Sequence, residues 1–299
     1  MSALNFAHRL TKTIEELSEA DSLKDIFHQH QDGNPIPSNQ VLEEIIGLLR
    51  EIIFPGYYGE STVHSQTIKF QIGVNVEKLY HLLTKQVQAG LCFVQSQHEL
   101  CPQQCQKLRE KAEDLTTQFI QRLPELRRVL TTDMVATYNG DPAAKTYGEV
   151  ILCYPVIKAL INHRVAHELL MLGVPLIPRM IAEMAHAETG IDIHPGAVIG
   201  EFFTIDHGTG VVIGETCIIG KNVKLYQGVT LGARSFPLDE EGNPIKGIPR
   251  HPVVGDNVII YSNATALGRI TIGEGSVVGA NIWITEDIPT YTKIFKKTK

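Results

Sequence analysis

From Ile193 to Ile284 a small or branched aliphatic residue returns every six positions, and no other feature restricts the fold of this chain so tightly. The series opens with Ile193, Ile199 and Ile205, slips by two residues, and continues through Ile213, Ile219, Leu225 and Leu231. Beyond a long interruption it resumes at Val254, Ile260, Ala266, Ile272, Val278 and Ile284. A glycine often follows, as at Gly200, Gly214, Gly220, Gly232, Gly255, Gly273 and Gly279. A period of six fits neither a helix of 3.6 residues per turn nor a hairpin meander. It fits a coil of three short strands, about 18 residues around, with the aliphatic residue pointing inward from each side. Such coils stack about 4.8 Å apart and pair as parallel sheets, so about five of them make a prism roughly 25 Å tall.

With 299 residues, 43% of them hydrophobic and 20% charged, the chain can bury a large core and hold two domains. A net charge of −6 gives no electrostatic reason to expect a nucleic-acid partner. No apolar run approaches the ~18 residues of a membrane span. The first seventeen residues mix polar, apolar and oppositely charged side chains, which is not the pattern of a signal peptide. Five scattered cysteines, an odd number, point to reduced thiols and a cytoplasmic location. Cys101 and Cys105 form a CxxxC pair without a second Cys/His pair at ligand spacing, so no metal is expected there. Cys217 falls inside a hexad and reads as a small core residue.

Residues 1–190 read as an α-helical domain and 191–299 as the coil, an α+β organisation. Asn39 is the expected cap of a helix through Ile52, stopped by Pro55-Gly56. Helical spacing recurs over 66–89, 105–123, 126–136, 154–172 and 177–187, and the small, polar stretch 131–148 reads as a connection. His163 and His167, at i and i+4, lack a third ligand and read as structural.

The interruption, 233–252, is longer than a compact solenoid needs, and loops of more than about 12–15 residues are usually functional or disordered. It ends in Pro249-Arg250-His251-Pro252, an imidazole and a cation between two stiff prolines. Two other polar groups break the hexad background, Asp192 before the first inward isoleucine and Asp206-His207-Gly208-Thr209-Gly210 at the slip. In uniform coils Asp192 lies one layer below position 210, which predicts that Asp192 and His207 share a corner. A His–Asp dyad suits proton removal from a hydroxyl, because imidazole titrates near neutrality and the carboxylate fixes its tautomer. No Ser or Cys shows a nucleophile signature, so direct transfer between two bound substrates is the simpler chemistry.

Taken together, Asp192-Ile193-His194-Pro195, Ile205 to Gly210 and Arg250-His251-Pro252 on a hexapeptide coil resemble serine O-acetyltransferase. Asp141-Pro142-Ala143 is similar to that family's Asp-Pro-Ala element. The resemblance is close over 131–289. It implies a left-handed parallel β-helix after an N-terminal helical domain, and transfer of acetyl from acetyl-CoA to L-serine in cysteine biosynthesis. It further implies His207 as general base with Asp192 as partner. Asp141 and Asp206 then hold the substrate ammonium, Arg250 its carboxylate, and His251 is a second active-site histidine. Thr230, Gly232, Ala233 and Ala264 follow the pantetheine track of acetyl-CoA, although this chain has Gly232-Ala233 where the family has Gly-Gly, and Tyr261-Ser262-Asn263 for Gly-Ala-Gly.

The same resemblance implies a homotrimer or dimer of trimers with sites between neighbouring coils, inhibition by L-cysteine, and no metal requirement. The runner-up is another hexapeptide O-acetyltransferase acting on a sugar or antibiotic hydroxyl, which would have no use for Asp141 and Arg250 as a zwitterion clamp. A carbonic-anhydrase-like hydrolyase would need three zinc histidines, and only His207 and His251 are well placed. Many family members dock an extended tail ending in isoleucine into O-acetylserine sulfhydrylase. With Lys296-Lys297-Thr298-Lys299 at its end, this tail is not expected to form that complex.

Overall fold

All thirteen inward positions of the hexad series are buried, from Leu231 and Ile272 at zero exposure to Ile199 at 9%. We describe a computed structural model of the protein, over residues 3–24, 26–27, 36–59, 63–95 and 102–296. Cys101 and Lys297 to Lys299 lie outside the described residues, and with them the CxxxC pair and the end of the tail. Two compact units are present, Met1–Ile36 and Pro37–Lys299. The first contains α1 (Ala3–Ser18) and the short α2 (Ala20–Leu23).

The coil is built from β1 (Asp192–Ile193), β2 (Val198–Ile199), β3 (Thr204–Asp206), β4 (Val212–Ile213), β5 (Ile218–Ile219), β6 (Lys224–Tyr226) and β7 (Thr230–Gly232). After the loop come β8 (Val253–Val254), β9 (Ile259–Ile260), β10 (Thr265–Leu267), β11 (Thr271–Ile272), β12 (Val277–Val278), β13 (Trp283–Ile284) and β14 (Lys293–Ile294). They form three parallel sheets in the orders β1-β4-β7-β10-β13, β11-β8-β5-β2 and β14-β12-β9-β6-β3. Each strand is followed in sequence by one in a different sheet, which is the path of a solenoid; the fold is a left-handed parallel β-helix of about five turns. A second inward set, two residues before each hexad aliphatic, completes the core: Ala197, Phe203, Val211, Cys217, Val223, Val229 and Val258 are each at most 1% exposed. Thus each side of the prism contributes two side chains to the interior rather than one.

Register locates the slip. Asp192 pairs with Val212, and Val212 with Thr230, so the first turn is two residues longer than the second. Position 210 is therefore not the layer above Asp192, contrary to the uniform spacing. The extra residues are accommodated at the corner between β3 and β4.

The second unit begins with helices. α3 (Asn39–Ile53) is capped by Ser38, whose hydroxyl accepts from Val41 N–H, rather than by Asn39. It is followed by α4 (Ile68–Gln95) and α5 (Pro102–Gly140), then by α6 (Tyr147–Cys153), α7 (Pro155–Met171) and α8 (Ile177–Thr189). α5 corrects two expectations, since it runs unbroken through Pro124 and occupies most of the stretch read as a connection. A proline costs an interior hydrogen bond. Here Phe119, Leu123, Leu126 and Leu130 remain buried on one face across it, and packing against α4 and α7 outweighs the local penalty. α6, seven residues capped by Thr146, was too short to show a period.

The helices are tied to the first turn by a buried ion pair. Arg164 of α7 donates to both carboxylate oxygens of Asp133 on α5, at 2.6 and 2.9 Å, and to the carbonyls of Ile199 and Gly200. Asp133 also accepts the Phe203 N–H at 3.0 Å, so the pair is saturated and holds α5, α7 and the coil in one arrangement. Among the described residues no helix is long and apolar enough to cross a membrane.

Candidate active site

The two extra residues of the first turn create a bulge with His207 at its tip. Gly208 N–H donates to the Asp206 carbonyl at 2.7 Å, and His207 between them has φ +60°. An i to i+2 bond around a residue of positive φ is a γ-turn of the rarer, strained kind. Gly208 follows at φ +89°, where a Cβ would come within 2.6 Å of Ile191. The backbone thus turns out of the ladder and leaves the His207 side chain 73% exposed, its Nε2 3.8 Å from Asp206 Oδ1.

Beside this bulge lies a small cleft lined by Gly140, Asp141, Tyr154, Thr204, Asp206 and Lys224. The end of α5 delivers Asp141, whose Oδ2 accepts from the Tyr154 hydroxyl at 2.6 Å and whose Oδ1 accepts from Ala143 N–H at 2.8 Å. These bonds, Tyr154 first, hold the Asp141 carboxyl below the usual range, and the same bond pushes Tyr154 up to about 12. Lys224 Nζ reaches the Gly140 carbonyl at 2.6 Å and Asp206 Oδ2 at 3.2 Å, with the Tyr226 ring 4.6 Å below it. Burial works to lower the Lys224 pKa, but Tyr226 and Asp206 outweigh it and raise it.

A second polar group occupies the Gly214-Glu215-Thr216 corner after β4. The long loop ends there. His251 is only 7% exposed and packs against Gly214, where a Cβ would sit 2.0 Å from the ring. Thr216 N–H donates to His251 Nδ1 at 3.1 Å, so that nitrogen is the acceptor and the proton resides on Nε2. Thr216 Oγ1 in turn accepts the N–H groups of Arg250 and His251, at 2.9 and 3.1 Å. Burial, with the Arg250 charge, lowers the His251 pKa to about 4, so the ring stays neutral at physiological pH. Arg250 Nη2 pairs with Glu215 Oε2 at 2.6 Å. Burial acts to raise the Glu215 pKa, but the hydrogen bond and charge of Arg250 prevail and hold it low.

The two groups flank opposite ends of β4, so the proposed residues do not converge within one chain. Asp141, Asp206 and His207 are together at one corner, Arg250 and His251 at the other. Asp192 opens β1 in register with Val212 at the start of β4, and its carboxylate, Glu183 and His186 place ligand atoms within 4.8 Å of one another. Among the described residues no hydrogen bond or ion pair joins Asp192 to His207. The expected acetyl-CoA positions span the same sheet. Thr230 N–H donates to the Ala264 carbonyl at 3.0 Å near the His207 end of β7, and Gly232 and Ala233 lie at the other end. His163 is buried at 2% exposure and burial holds its pKa well below the usual value, whereas His167 Nδ1 donates to the Pro195 carbonyl at 2.8 Å.

Sequence reasoning missed Tyr154, Lys224, Glu215 and Thr216. A lysine at an outward coil position beside the slip, and two polar residues at the next corner, were the available signals.

A scan against protein-family models gives no match. The chain is 49% identical over 258 residues to a plasmid-encoded serine acetyltransferase of Synechococcus elongatus, covering 85% of this chain and 80% of that one. It is 44% identical over 167 residues to the serine acetyltransferase of Bacillus subtilis, covering 56% of this chain and 73% of that protein. Among solved structures, Entamoeba histolytica serine acetyltransferase 1 in complex with L-cysteine is 34% identical, with a TM-score of 0.72 over 98% of this chain and 97% of that chain. Isoform 3 from the same organism, in complex with cysteine, gives 0.71 at 31% identity over 100% and 94%.

Proposed function

Because the chain belongs to the serine acetyltransferase family, we propose a mechanism in which the two corner groups meet between copies of the chain. The protein is an acyltransferase, a serine O-acetyltransferase of cysteine biosynthesis. The observation that carries the mechanism is the separation of Asp141, Asp206 and His207 from Arg250 and His251 at opposite ends of β4. An ammonium pocket without its carboxylate clamp is completed when one corner faces the other corner of a second coil, as in a homotrimer.

In this reading Asp141 and Asp206 hold the ammonium of L-serine and Arg250, in place of its bond to Glu215, holds the carboxylate. His207 removes the hydroxyl proton as the serine oxygen attacks the thioester carbonyl of acetyl-CoA, and Asp192 fixes the imidazole tautomer. Neutral His251 presents its Nε2 hydrogen to the oxyanion of the tetrahedral intermediate. Collapse breaks the C–S bond, and the proton on His207 goes to the departing thiolate. Thr230, Gly232, Ala233 and Ala264 line the path of acetyl-CoA. L-cysteine carries the same ammonium and carboxylate as serine and inhibits competitively with it.

The test is release of CoA thiol from acetyl-CoA with L-serine, a galactoside or chloramphenicol as acceptor. Release that depends on L-serine and is suppressed by L-cysteine supports the reading. Release with either of the other acceptors and none with serine overturns it.

A further inference from the structure

The cleft expected to receive an ammonium already contains one. Lys224 is only 17% exposed, and its Nζ joins the Gly140 carbonyl at 2.6 Å to Asp206 Oδ2 at 3.2 Å. We propose that Lys224 is a positioning residue for the ammonium subsite, clamping the end of α5 to the coil and matching the subsite to a single positive charge. The inference rests on the reading of Asp141 and Asp206 as ammonium ligands.

Three features lead to this assignment. First, Gly140 is the last residue of α5, and its carbonyl is among those a helix leaves without an intrahelical partner. A cation there completes the helix end and fixes where the next residue, Asp141, enters the cleft. Second, the charge balance of the cleft depends on Lys224. Asp141 and Asp206 bring two negative charges, and the neighbouring Tyr154 stays neutral with its pKa at about 12. With Lys224 these three lining side chains carry a net charge of minus one, which one substrate ammonium cancels. Third, Lys224 is itself held, with the Tyr226 ring 4.6 Å from Nζ and Tyr226 stacked on Tyr261 at 4.9 Å. A long, flexible side chain is thereby restricted to one geometry. Among the described residues the other titratable groups acting on the cleft are His207, on the far side of Asp206, and Glu149, whose charge acts on Tyr154.

The Lys224 ammonium contacts the Gly140 carbonyl, Asp206 and the Tyr226 ring, so its effect belongs to serine binding. Lys224→Met and Lys224→Gln remove the clamp; Lys224→Arg keeps a cation that can reach both oxygens. Serine-dependent turnover by the wild-type enzyme is established first, and its absence would defeat the functional reading rather than this inference. In the Met and Gln variants KM for serine should rise roughly tenfold, the scale of a lost charge-assisted contact. The Ki of L-cysteine should rise in step, with KM for acetyl-CoA unchanged. The Arg variant should recover most of the loss. The Ki of 3-mercaptopropionate, which is cysteine without its ammonium, should not move. Unchanged serine KM in both neutral variants, or a shift of 3-mercaptopropionate equal to that of cysteine, would overturn the assignment.

Discussion

His207 and His251 sit on successive corners of one coil, and their surroundings make them different reagents. His207 stands on a strained two-residue bulge with its side chain 73% exposed. His251 is packed against Gly214, its Nδ1 satisfied by Thr216, its pKa lowered to about 4. The first ring is open to exchange a proton with a bound hydroxyl. The second cannot gain one near neutrality, so it can only donate the hydrogen it holds on Nε2. An added bulge produced one and a glycine-floored pocket the other, within a scaffold that otherwise repeats.

The contrast can be broken from the His207 side with the largest effect. His207→Ala should lower kcat by about 10²–10⁴-fold while leaving the oligomer intact by light scattering, since the side chain supports no packing. Retention of more than a third of wild-type kcat would mean another group is the base. Arg250→Ala comes next. It should raise KM for serine about 10–100-fold, the equivalent of about 1.5–3 kcal/mol for a hydrogen bond to a charged group. A rise in KM for acetyl-CoA instead would assign the loop to the other substrate.

Gly214→Ala sharpens the difference by testing packing alone. A methyl placed 2.0 Å from the His251 ring must displace it, which costs about 1–3 kcal/mol and should appear as a lower denaturant midpoint. Thr209, exposed at the other corner, should accept alanine with no measurable change in that midpoint.

The smallest expected effect is on the pH dependence of stability. The folded pKa of His251 lies below its ordinary 6.5, so between pH 6.5 and about 4 the unfolded chain binds the proton that the folded chain refuses. Stability is therefore fully present above pH 6.5 and declines as pH falls toward 4. His163, depressed by burial, contributes in the same direction. Replacing His251 by Asn should make the decline shallower in urea titrations, and an unchanged slope would contradict the burial argument.

Much of this was legible because a fixed period is a geometric statement. Six-residue spacing made Ile193 through Ile284 inward positions without any knowledge of tertiary contacts, and the break at Asp206 to Gly210 marked the bulge. Three things were hidden for physical reasons. The second inward set, such as Phe203 and Cys217, varies in size and chemistry and so carries no visible beat. The continuity of α5 across Pro124 comes from packing by distant helices, which overrides a strong local signal. Lys224, Tyr154 and Thr216 act through partners 84, 13 and 35 residues away in sequence, a relation that no local pattern encodes. The same limit applied to Asp192. The uniform spacing put position 210 one layer above it, while the register puts Val212 there, two residues further on.

The central claim, that a working site needs one corner from each of two copies, is tested most directly by mixing two inactive chains. His207→Ala keeps Asp192, Arg250 and His251, and Arg250→Ala keeps Asp141, Asp206 and His207. Co-expressed with different affinity tags and purified through both, mixed oligomers contain interfaces where the intact halves face each other. The account predicts serine-dependent CoA release well above that of either parent at the same serine concentration. Mixed oligomers no more active than the parents would show that the site is assembled within a single chain.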